Sequence, residues 1–153
     1  MTREFFRVAS DFSVIFNDWL HFGSHPGYFN DETIYPLERL DSDITFVGAE
    51  KGILFDTPGI DSNQPVVLMY ESFDVTLARN VIKINGTEIP GGIPVSSKRG
   101  EWKNNLSILE PGVEMQDNAN ELSIEARGET DDPEMTPDNF LIANAVVLYK
   151  TIA

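Results

Sequence analysis

The chain has 153 residues, 41% hydrophobic and 10% aromatic, enough for one domain with a buried core. A formal net charge of −14 repels nucleic-acid phosphates and anionic lipid headgroups, so neither nucleic acid nor membrane is an expected partner. With no cysteine in the chain, disulfides, thiol catalysis and cysteine-ligated zinc are excluded.

Residues 1–7 carry Glu4 and lack the apolar stretch of a secretory leader, so a cytoplasmic location is expected. Residues 6–16 alternate. Val8, Phe12, Val14 and Phe16 share one parity, as a half-buried strand requires. Residues 17–42 are broken by Gly23, Pro26, Gly27 and Pro36. They read as a long irregular loop with one helical turn near residues 18–22. Two short strands follow, 43–47 and 51–55, joined through Gly48. Residues 64–71 are apolar on both parities, the mark of a strand covered on both faces.

The sharpest turn signal is Asn85-Gly86, between Val81-Ile82-Lys83-Ile84 and Thr87-Glu88-Ile89. Asn-Gly favours a type I′ hairpin because both central residues need positive φ. Residues 102–109 and 120–127 read as two more strands, and in the second Leu122, Ile124 and Ala126 face one way. Residues 128–139 form a polar loop, and residues 140–149 a long apolar closing strand. Turn signals every 8–12 residues and no helix of ten residues predict an all-β fold. The expected form is a single antiparallel β-sandwich, jelly-roll-like, of eight or nine strands.

From the Asn85-Gly86 hairpin the chain runs to Trp102, then Leu106 and Ile108, then Asn120-Glu121-Leu122-Ser123-Ile124-Glu125. This order resembles the galactose-binding-like jelly-roll domains over residues 75–149. Where that family usually has Gly before Asn, this chain has Asp117-Asn118-Ala119-Asn120. The resemblance implies a jelly roll that binds sugars through loops at one end, and a structural calcium ion. It supplies no individual binding residues.

The residues themselves offer several candidates. Ile53-Leu54-Phe55-Asp56-Thr57-Pro58-Gly59 looks like a GTPase switch strand, but the chain has no Gly-Lys phosphate loop to go with it, so an ordinary turn is expected. No Gly-x-Ser-x-Gly elbow and no singled-out carboxylate pair is present. A non-catalytic protein, needing no catalytic cofactor, is therefore expected. Asp131, Asp132 and Asp138 concentrate oxygen donors in the late polar loop and are the candidate calcium ligands. Trp19, His21, His25 and Tyr28 combine aromatic faces with polar groups. They are the candidate contacts for a carbohydrate or a protein partner. Two function classes stay open: a carbohydrate-binding module, and a structural or assembly protein that forms homo-oligomers or packs on a partner.

Overall fold

A computed structural model of the chain describes residues 8–30, 44–98, 100–111 and 114–152. Among them are nine strands and one short 3-10 turn. The strands are β1 (Val8–Phe22), β2 (Ile44–Gly48), β3 (Glu50–Phe55), β4 (Val66–Phe73), β5 (Val81–Ile84), β6 (Thr87–Glu88), β7 (Trp102–Leu109), β8 (Asn120–Glu125) and β9 (Phe140–Ile152). They form two sheets, one of order β2-β1-β9-β4-β7 and one of order β3-β8-β5-β6. The expected all-β sandwich is therefore present. No helix among the described residues is long and apolar enough to cross a membrane.

The pairing is nested. β1 pairs with β9, β3 with β8, β4 with β7 and β5 with β6, all antiparallel. Further pairs, β4 with β9 and β5 with β8, complete the two sheets. Among the described strands only β2 is parallel to its neighbour, along Trp19 to Phe22 of β1. Gly48, at φ 88°, ends β2, and the chain steps directly from the edge of one sheet to the edge of the other. A side chain would be strained at that φ. Asn85 and Gly86, at φ 50° and 80°, make the expected I′ turn between β5 and β6.

The core lies between the sheets. Leu68 and Tyr70 of β4, Ile82 and Ile84 of β5, Leu122 and Ile124 of β8 and Ile142 and Val147 of β9 are buried there together. Phe22 and Phe140, partnered across β1 and β9, stack at 5.6 Å in the same layer. Alternation along β8 buries Leu122, Ile124 and Ala126, as expected.

Two expectations need correction. Residues 17–22 are not loop or helical turn but the C-terminal end of β1. Pairing with β9 through Phe22 overrides the weak local signal, and Gly23 ends the strand. A Cβ at Gly23 would sit 2.0 Å from Asn139 Oδ1, so no larger residue fits that corner. The chain then turns through the 3-10 segment Tyr28–Asn30; residues 31–42 of the predicted loop, and residue 43 of the strand predicted after it, lie outside the described residues. The second correction concerns faces. The Phe12 and Val14 parity of β1 points away from the core, and a register shift after Val14 turns Phe16 inward.

Candidate functional site

The aromatic segment folds back on the outer face of the five-stranded sheet. Registers align Phe46, His21, Leu141, Phe73 and Trp102 in one row across β2, β1, β9, β4 and β7. The 3-10 turn lays Tyr28 and Phe29 over this row, and Phe29, Phe73 and Leu141 form a second buried cluster. The rings touch in sequence. His21 meets Phe46 at 5.0 Å and Phe29 at 4.8 Å, Phe29 meets Phe73 at 6.0 Å, and Trp102 meets Phe73 at 5.1 Å and Trp19 at 5.0 Å.

His21 is fully buried, Trp19 and Tyr28 are half-buried, and His25 is exposed with its ring edge-on to Tyr28 at 6.0 Å. The four candidate residues are thus neighbours along one end of the sheet, with His21 enclosed by other rings and His25 left exposed. Trp102 belongs to the same cluster rather than standing free.

Asn139 Oδ1 accepts the His25 backbone N–H at 3.4 Å, so the His21 Nε2 3.0 Å away is a donor to the same oxygen. Burial holds the His21 pKa below its ordinary value, with the nearby His25 acting in the same direction and the Asn139 bond opposing it. A histidine pKa depressed in the folded state leaves stability intact above the unfolded value of about 6.5 and removes it as pH falls below that value. The melting temperature should therefore drop on acidification from about pH 6.5, before the carboxylates titrate, and the drop should shrink in His21→Gln. Parallel curves for the two proteins would show that His21 carries none of it.

The three candidate calcium ligands do not converge. Asp138 is 6% exposed. Its Oδ2 accepts the Thr76 and Leu77 backbone N–H groups at 3.0 and 3.1 Å and Asn80 Nδ2 at 2.9 Å, while Oδ1 accepts the Thr76 hydroxyl at 2.7 Å. Asp131 is exposed and paired with Arg79. Asp132 accepts the Glu134 backbone N–H at 2.9 Å, a local turn contact. Among the described residues no group of three or more acidic or histidine side chains is placed to hold a metal. Asn120 is buried between Thr57, Gln116 and Asn85. The Asp56-Thr57-Pro58-Gly59 stretch is an ordinary turn docked on that segment, with the Thr57 N–H donating to the Asp117 carbonyl at 2.8 Å.

The feature that sequence reasoning missed lies on the same outer face, at the opposite end from the rings. Phe12, Leu148, Val67 and Ile108 form one cross-strand row over β1, β9, β4 and β7. Val14, Val146, Met69 and Leu106 form the next. Six of these eight are exposed and Val67 and Val146 are half-buried. A groove of about 490 Å³ runs into this block, lined by Phe12, Met69, Val146 and Leu148 and bounded by Glu71, Asn104 and Asn144. Asn144, at φ 52°, is the bulge residue of β9, and its amide donates to Glu71. That polar belt separates the bare apolar block from the ring cluster. The available signal was the two-sided apolar pattern of residues 64–71 together with the shared parity of Leu106 and Ile108.

No protein-family model matches the chain, and neither a curated protein nor a solved structure is significantly similar to it.

Proposed function

We propose that this chain is a non-catalytic assembly protein, built on a jelly roll, that docks onto another protein through the outer face of its five-stranded sheet. The nested pairs β1·β9, β3·β8, β4·β7 and β5·β6 support the jelly-roll reading, because a long hairpin rolled on itself pairs its strands in that order. β2 is then an added edge strand.

The observation that carries the function is the apolar block. An antiparallel sheet with one solvated face normally alternates apolar-in and polar-out. Here two adjacent rows of four strands are apolar on the outside as well. Together they leave on the order of 600 Å² of apolar surface, the upper end of what a monomer exposes in one patch. A face of this kind costs solubility unless something covers it, and it offers a partner hydrophobic burial without any charge to desolvate.

The carbohydrate reading is weaker on geometry. Sugar stacking needs an open ring face beside polar groups, and Trp19, His21, Phe29, Phe73 and Trp102 pack edge-on or tilted against one another.

In-cell photo-cross-linking tests the assembly reading. A photoreactive phenylalanine analogue at Val14 or Leu106 should give a discrete cross-linked protein band, and the same analogue at Lys51 on the other sheet should give none. Equal labelling at all three positions, or none at any, would overturn the docking reading.

A further inference from the structure

Resting on that docking reading, we infer that the occupant of the apolar face is a second copy of this chain, packed sheet to sheet about a two-fold axis that runs across the strands. A two-fold interface uses the same patch on both copies, so the patch must be complementary to itself. The outer face meets that condition in three ways.

The first is shape and composition. The two apolar rows lie side by side over four strands, a block roughly 14 Å wide at ordinary strand spacing. Rotation about an axis between the rows lays the Phe12 row of one copy over the Val14 row of the other. Packed sheets sit about 10 Å apart with interdigitated side chains, and the most exposed residues stand ready to interdigitate: Phe12 at 62%, Leu106 and Ile108 at 60% and Val14 at 51%.

The second is area. A standard interface takes about 800 Å² from each partner. The apolar block with its polar borders approaches that figure. It is wide enough for a dimer that forms and dissociates.

The third is charge. Two copies carry −14 each and repel, so only a face without acidic side chains at its centre allows close approach. None of the eight central residues is charged. The borders are of opposite sign. On one side of the block Lys150 pairs in register with Ser10 and donates to its hydroxyl at 2.7 Å. On the other side stands Glu71, held by Asn144. The same rotation sets Lys150 of each copy over the Asn144–Glu71 pair of the other, giving two symmetry-related ion pairs. An axis along the strands would instead set Lys150 against Lys150 and Glu71 against Glu71.

Sedimentation equilibrium of the full chain over a concentration series to about 100 µM tests this, with Met69→Glu, Lys150→Glu, Glu71→Lys, the Lys150→Glu/Glu71→Lys double variant and Leu54→Glu as control on the other sheet. Circular dichroism checks that each variant is folded. The wild type should dimerise. Met69→Glu should weaken association about 30-fold or more, as at an interface centre. Each single charge reversal should weaken it several-fold, and the double swap should restore it. Leu54→Glu should leave it unchanged. A wild type that stays monomeric overturns the second copy while the photo-cross-link still decides the docking reading. A dimer indifferent to Met69→Glu overturns the second copy as occupant of this face, and the photo-cross-link again decides the docking reading. A dimer that needs the face but is not restored by the double swap overturns the proposed axis.

Discussion

Replacing Asp138 by alanine should lower the unfolding free energy by roughly 3–4 kcal/mol. The carboxylate accepts four hydrogen bonds, from Thr76 N and Oγ1, Leu77 N and Asn80 Nδ2. It fixes the segment that leads from β4 into β5. The same Asn80 accepts the Arg127 N–H at 2.9 Å, and Asp138 N donates to the Arg127 carbonyl at 3.0 Å, so the start of β5, the end of β8 and the approach to β9 share one polar knot. Alanine leaves the buried Asn80 amide and the part-buried donors of Thr76 and Leu77 without this acceptor, and a buried orphan costs about 1–3 kcal/mol. Asp138→Asn should cost less. The three donors on Oδ2 can keep an amide oxygen, and the new NH₂ then faces the Thr76 hydroxyl, which can turn to accept. Denaturant titration of the two variants measures the difference. A loss below about 1 kcal/mol for alanine would mean that the knot is not structural.

The second large effect belongs to the ring cluster. Phe73 is buried between Phe29 and Trp102 and sits beside Leu141. Phe73→Ala should cost roughly 3–5 kcal/mol, the usual range for removing a buried aromatic side chain. Association should not change once the protein is folded, because the Asn144–Glu71 belt separates this end of the sheet from the bare apolar block. The paired readout of stability and association decides the role of the cluster. A stability change under about 1 kcal/mol with altered binding would make the rings a recognition site. The predicted result makes them a plug over one end of the outer face.

The sheet scaffold was legible because period-two patterning and turn chemistry agree locally. The Asn85-Gly86 turn, the alternation of Leu122, Ile124 and Ala126, and the strand at Trp102 all follow from residues within a few positions of each other. What was not legible depends on pairing over long separations. Nothing near residues 17–22 announces a strand; β9, more than a hundred residues later, holds it in register. The candidate site suffered in the same way. His21 looks like a loop histidine until Phe29, Phe46 and Asn139 are brought around it. Asp138 looks like one more acidic loop residue until Thr76, Leu77 and Asn80 close on it. The apolar face was half visible: two-sided apolar strands at residues 64–71 and 140–149 imply cover on both faces. Only the registers show that their outward residues join those of β1 and β7 into one block.

The absence of cysteine allows the central claim to be measured directly. A single Met69→Cys reports on the middle of the outer face, and a single Leu54→Cys reports on the exposed surface of the other sheet. Both are alkylated with neutral iodoacetamide over a range of protein concentrations. If the outer face is an interface, the rate at Met69→Cys falls about tenfold or more as the protein associates, following RT ln arithmetic for a site open only in the free form. The rate at Leu54→Cys stays constant. Equal, concentration-independent rates at the two positions would contradict the account.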